Sequence, residues 1–222
     1  MTRTQAAMAE LKEFFSGPRP VGDSAVPPIV FVMANAVSGL TVAATAAVAV
    51  AVALMGYRIA RGRPAIYALG GVAGVGFAVF LALRSNQAEG YFLPGIVSSA
   101  GWAVVALTSA AVRRPAAVYT SWAVHRWPME WYRRSDIRPA YTEVTLAWGL
   151  FFAVRAAIQY RLFDGGNVTA LGLVKVATGT PAVIVMLIGT YLYGTWRLEK
   201  LGGPTADEYL AGAEPSGEHR KL

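Results

Sequence analysis

A succession of long apolar runs, broken by turn-forming or basic residues, limits what this chain can fold into more than any other feature. The runs cover residues 26–37, 40–57, 65–83, 91–111, 141–163 and, after an Asp164-Gly165-Gly166 turn, 168–196 with a break at Gly179-Thr180-Pro181. A helix needs about 20 apolar residues to cross a bilayer core. Most of the runs reach that length, and no soluble core of this size would use them all. The composition agrees: 55% of the 222 residues are hydrophobic, 15% are charged, and the mean hydropathy is +0.43. The expected fold class is therefore all-α, a polytopic integral membrane bundle of about six transmembrane helices.

The first run is short. Asp23 and Ser24 are N-cap candidates before Pro27 and Pro28, which suit a first helical turn because their missing N–H groups would have no partner there. Ser38 and Gly39 then interrupt the run, so the segment is tilted, re-entrant or a half-helix unless it continues into the second run. Residues 1–25 lack the apolar stretch and cleavage site of a signal peptide and read as a cytoplasmic amphipathic lead. Residues 26–200 form the membrane domain. The basic loop 113–138, which mixes six arginines with Trp122, Trp127, Trp131 and Tyr132, reads as an amphipathic stretch at headgroup level. Residues 201–222 read as a polar, mobile tail.

The charge of +7 has a direction. The lead, the loop after the second run, the loop after the fourth and the residues after 196 carry 3, 3, 6 and 4 Lys or Arg, whereas the connections after the first and third runs carry 0 and 1, and Arg161 at the end of the fifth run adds 1 to the connection there. Positive residues favour the cytoplasmic side. Six helices with both termini in the cytoplasm satisfy this distribution, and fusing the first two runs would put basic loops on opposite sides. Residues 27–44 also align weakly with 94–111, the pattern of an inverted three-helix repeat.

At Leu83-Arg84, Tyr91-Phe92-Leu93-Pro94-Gly95, Arg133-Arg134-Ser135-Asp136, the segment 147–155 and Gly179-Thr180-Pro181, the chain resembles an actinobacterial membrane family called domain of unknown function 3159. That family is itself similar to the intracellular septation protein A group of inner-membrane proteins. The resemblance covers roughly residues 18–200 and implies a helical membrane fold, no established chemistry and an envelope role. Glu143 departs from the basic or neutral start expected of the fifth helix.

Ionisable groups within apolar runs are costly and therefore single themselves out. Arg155 lies midway along the fifth run, with Trp148, Phe152 and Gln159 on its face. It reads as an anion clamp or as an arginine satisfied inside the bundle. Glu143, near the start of the same run, reads as a proton donor in a dry site or as an interfacial carboxylate paired with Arg138 or Arg134. Lys175 precedes the Gly179 break and reads as a ligand contact or as a snorkelling amine. Asn35 is a candidate hydrogen-bonding partner across helices. Glu89 and Glu130 are candidate carboxylates at opposite interfaces. Trp102, Trp148, Phe151, Phe152 and Tyr191 offer aromatic walls to a lipophilic ligand. Gly70 and Gly74 form a GxxxG packing face that would serve a homo-oligomer.

Other chemistry is excluded by residue type. The chain has no cysteine and only His125 and His219, so thiolate and histidine-rich metal sites are out. Asp207-Glu208 is the only adjacent acidic pair, which argues against metal-dependent prenyl transfer, and no GxSxG, HExxH or Walker loop appears. No cofactor, metal or nucleic-acid partner is expected. The partners expected are the bilayer and a lipophilic small molecule. The leading expectation is an envelope protein or lipophilic-ligand binder of the bacterial cytoplasmic membrane. The rival is a metal-free, terpene-cyclase-like cyclase or isomerase acting on an isoprenoid or polyketide-like substrate, with Glu143 as acid and Arg155 organising the pocket. A small transporter is the third reading.

Overall fold

A computed structural model describes residues 25–62 and 65–212. They form helices α1 (Val26–Ala60), α2 (Ala65–Ser85), a 3-10 turn (Ala88–Phe92), α3 (Leu93–Ala111), α4 (Ala116–His125), α5 (Met129–Arg133), α6 (Arg138–Asp164), α7 (Val168–Ala177), α8 (Thr180–Leu201) and α9 (Ala206–Leu210), with no strand among the described residues. The fold is all-helical, as the runs predict. The amphipathic lead falls outside the described residues, and so do Asp23 and Ser24; α1 starts after Ala25, which provides no side-chain cap.

Three stretches are long and apolar enough to cross a membrane: Val26–Ala60, Ala88–Ala111 and Val168–Leu201, with Leu69–Ser85 a shorter apolar helix. Helix α6 has the length but not the apolarity, because Glu143, Arg155, Gln159 and Arg161 interrupt it.

The chain divides into two compact units. The first, here the hairpin unit, comprises residues 25–100 and 154–184 of the described chain. Its main event is at Gly39, where φ is +79° and ψ 178° in the midst of α1. This conformation is almost confined to glycine, because a Cβ there would crowd its own backbone. The helix folds back on itself at that residue. Pro27 and Pro28 line the same cavity as Leu54 and Met55, yet in one straight helix Pro28 and Leu54 would stand about 39 Å apart. The two apolar runs are thus the two arms of a helical hairpin. The first arm, residues 26–38, is about 20 Å long and crosses a hydrocarbon core of about 30 Å only where the bilayer thins around it, and the second, residues 40–60, is about 31 Å.

Small residues make the hairpin compact. Ala43, Ala47 and Ala51 recur every four residues and are all buried, giving the second arm a flat face. Ala43, Ala44 and Ala47 share a core with Phe31, Ala78, Ala82, Tyr91, Phe92 and Leu171. Helix α7, capped by the Asn167 side chain accepting from the Ala170 amide at 3.0 Å, joins this core through Gly172. A Cβ at Gly172 would collide with Val32 Cγ2, so only glycine permits this approach. The weak alignment of 27–44 with 94–111 does not survive. One copy turns sharply at Gly39, while the other lies in the unbroken α3.

The second, aromatic unit comprises residues 101–153 and 185–212. Its core packs Trp131, Tyr132, Ile137, Val118 and Ala206 against Trp127, Tyr141, Leu198 and Tyr209. Trp131 and Tyr132 are 3% and 1% exposed, so these aromatics fill a core of the unit; Trp122 stays exposed, under the Arg126 guanidinium. The Ser121 hydroxyl lies 3.0 Å from Tyr132 Oη and 3.4 Å from Tyr141 Oη, which satisfies polar groups in this core. Burial pushes the Tyr132 phenol above its ordinary pKa.

The start of the tail is docked, contrary to the mobile tail expected. Trp131 Nε1 donates to the Pro204 carbonyl at 2.9 Å, Gly203 sits against Ile137, and Thr205 forms a capping box with Glu208 that starts α9. Residues 213–222 lie outside the described chain.

Candidate functional site

Glu143 lies within the first turns of α6 in the aromatic unit, and its carboxylate is fully engaged. Arg197 of α8 donates from Nε to Oε2 at 2.8 Å and from its terminal amine to Oε1 at 2.9 Å, and Tyr193 Oη donates to Oε2 at 2.8 Å. The partner is neither Arg138 nor Arg134. A carboxylate that accepts three such bonds is committed to its own chain and is not free to meet a substrate. Arg134 forks onto Asp136 instead, at 3.0 and 2.7 Å.

The other candidates of this unit scatter. Trp148 Nε1 donates to Thr190 Oγ1 at 3.2 Å, and its ring packs with Phe151 and Phe152 at centroid distances of 5.9 and 5.7 Å. This half-buried aromatic group is the one predicted wall that forms as a wall. Trp102 is 58% exposed on α3. Tyr191 is half-buried on α8, and Glu130 is exposed on α5.

The hairpin unit holds a more organised arrangement. Phe31 stacks on Tyr91 with centroids 4.1 Å apart, and Phe92 meets both rings edge-on. The Lys175 amine lies 4.7 Å from the Tyr91 ring centre and 5.2 Å from that of Phe92. It turns into the bundle and is held by two aromatic faces, an arrangement that offsets part of its desolvation.

Beside this cation is a cavity of about 280 Å³. The first arm of α1 contributes Pro27 and Pro28; the second contributes Ala51, Leu54, Met55 and Arg58. Helix α2 contributes Gly70, Gly71, Gly74, Val75 and Ala78, and Tyr91 and Lys175 complete the wall. A Cβ at Gly70 or Gly74 would meet nothing within 4 Å, so these glycines leave space open instead of closing it. The wall is mostly apolar and the two charged side chains on it are both cationic. No carboxylate lines it.

Two further residues of this unit come from the predicted stripe on α6. Arg155 is half-buried on α6. Gln159, one helical turn on, is 2% exposed. Arg155 Nε and Gln159 Nε2 are both buried and find no acceptor within the chain. Asn35 is half-buried on the first arm, and Glu89 has its carboxylate beside Gly166 in the connection between α6 and α7. Among the described residues, no three His, Asp or Glu come together as metal ligands would.

Phe31 and Arg58 were absent from the residues singled out in the sequence. Arg58 was legible only as loop charge at the end of a run, and Phe31 carried no signal, because nothing local announces that the first arm folds back toward Tyr91.

No curated protein and no solved structure matches the chain. A family model described as "Protein of unknown function (DUF3159)" matches residues 15–197. That match spans most of the chain, including α1 to α7 and nearly all of α8. The chain belongs to this family of proteins of unknown function.

Proposed function

We propose that this is a multi-pass protein of the bacterial cytoplasmic membrane, with six spans and both termini in the cytoplasm, and that it binds a lipophilic ligand in the cavity of its hairpin unit. The observation that carries the ligand reading is the cavity itself, about 280 Å³ of space with apolar and glycine walls inside a unit made of membrane-length helices. At about 280 Å³ it lies just below the ordinary range of small-molecule pockets, about 300–1,000 Å³, and its mostly apolar lining is the kind they use. The distribution of Lys and Arg supports the orientation, and the Gly39 hairpin supports counting the first two runs separately. The acid-catalysed alternative has no support at Glu143, whose carboxylate is already committed to Arg197 and Tyr193.

Native mass spectrometry of the protein purified from its own membranes tests the ligand. A discrete lipophilic adduct is expected on the wild type and absent from Gly74→Leu, whose side chain fills the cavity. Equal retention by both proteins would remove the cavity from the reading. The absence of native cysteine makes topology testable in the same preparation. Single cysteines at exposed Tyr119 or Val124 should react only from the cytoplasmic side, and labelling from outside overturns the orientation.

A further inference from the structure

The wall of the hairpin-unit cavity is mostly apolar, and the charges on it are all of one sign. Lys175 and Arg58 both stand on it, and no carboxylate of the described residues joins them. The Lys175 amine lies against the π faces of Tyr91 and Phe92, 4.7 and 5.2 Å from the ring centres, and no described carboxylate pairs with it. Aromatic faces return only part of what a cation loses on leaving water, and a cation within an apolar span is costly unless an anion meets it. Arg58 reaches the cavity from the end of the second arm. One of its terminal nitrogens lies 3.8 Å from where a Cβ of Gly71 would stand, so the guanidinium rests against a bare stretch of α2.

Gly70 and Gly74 leave the adjoining wall open, since a Cβ on either would meet nothing within 4 Å. Leu54, Met55 and Val75 supply much of the apolar remainder. One cavity thus offers positive charge and an apolar surface together, the complement of an amphiphile with an anionic head. Size limits the rest of that molecule. At about 280 Å³ the space lies just below the range that receives drug-sized ligands, so it takes one short chain and not the paired chains of a phospholipid. An oxyanion suits the head, because the hydrogen bonds that lysine and arginine donate to it are charge-assisted and stronger than neutral ones. We propose that the cavity binds a single-chain amphiphile with an oxyanion head, a carboxylate or a phosphate, which Lys175 engages, with Arg58 adding charge and the chain lying along the glycine wall of α2. This deepens, and rests on, the lipophilic-ligand reading above.

The test uses the full-length protein in nanodiscs of neutral phosphatidylcholine, titrated separately with decanoate, decyl phosphate, decanol and acetate, with bound adducts counted by native mass spectrometry. At least one of the two chain-bearing anions is expected to bind, and the tighter of them names the head; decanol and acetate are expected to bind far less. Lys175→Met should weaken the bound anion about ten- to a hundred-fold, the effect of losing one charge-assisted contact, and leave decanol unchanged. Gly74→Leu, which fills the space for the chain, should abolish binding. The wild-type comparison of the anions with decanol needs no variant and carries the test if Lys175→Met is not recovered. Decanol binding as tightly as both anions overturns the anionic head and leaves the lipophilic cavity standing. Anion binding that Lys175→Met does not weaken removes the lysine from the site and overturns the proposal. Acetate binding as tightly as decanoate overturns the apolar chain, and with it the proposed function. Failure of both anions overturns the amphiphile, while a native adduct lost in Gly74→Leu would still uphold the lipophilic cavity.

Discussion

Replacing Gly39 by alanine gives opposite results for the two structures that α1 could adopt, which makes it a sharp test of the hairpin. At φ +79° and ψ 178° an alanine is strained by its own backbone. A Cβ there would meet no other atom within 4 Å, so no steric collision adds to or masks the effect. The cost is purely conformational, about 1–3 kcal/mol. In a continuous helix from Val26 to Ala60 the same change would remove a poor helix former and stabilise by about 1 kcal/mol. Gly56→Ala is the internal control. It lies in the regular part of the second arm with open space around its Cα, and is expected to stabilise by somewhat under 1 kcal/mol. Reversible unfolding in mixed micelles with increasing denaturing detergent reads both. Spin labels at exposed Ile29 and Val52 give a geometric check. A continuous helix separates them by about 35 Å, whereas arms packed as neighbouring helices have axes about 8–10 Å apart. A stabilising Gly39→Ala together with a long label distance would refute the hairpin and the cavity built on it.

Gly172→Val drives a side chain into Val32 and should destabilise by about 1–3 kcal/mol, whereas Gly70→Ala, facing open space, should be neutral or better in the same unfolding assay. Thr205→Ala removes the capping box of α9 and should cost about 1 kcal/mol, seen as faster proteolysis between residues 203 and 210. The Arg134 guanidinium holds the Asp136 carboxyl below the usual carboxylate range. With the folded value depressed, the pair's contribution is present above the ordinary carboxylate pKa of about 3.9 and is lost as pH falls through the lower folded value. Both side chains are partly exposed, so the contribution is at most about 1 kcal/mol. Asp136→Asn should flatten the acid limb of a stability profile below about pH 4 and leave stability near pH 7 changed by no more than that amount.

Much of the helical framework was legible from local pattern. Helix α3 follows the fourth run, α6 follows the fifth with an added turn at its start, and α7 and α8 part at the Gly179-Thr180-Pro181 break, because apolar length and turn residues act over a few neighbours. The charged residues inside the runs were legible as anomalies for the same reason. Their partners were not. Glu143 pairs with Arg197 across 54 residues of sequence, where nearby arginines were the natural expectation. The basic aromatic loop shows the same limit, since tryptophans among arginines look alike whether they face a membrane interface or one another.

By itself the sequence determined that the chain is helical, rich in membrane-length segments, and without thiol or multi-histidine metal chemistry, since these depend on residue type and short-range period. Tertiary structure alone decided that the interruption at Gly39 is a reversal, that Gly70 and Gly74 line a cavity, and that Lys175 lies against Tyr91 and Phe92. Each of these depends on which distant surfaces meet once the backbone folds back. A glycine permits a reversal, an empty wall or a close contact equally well, and only the packing of the other helices selects among them.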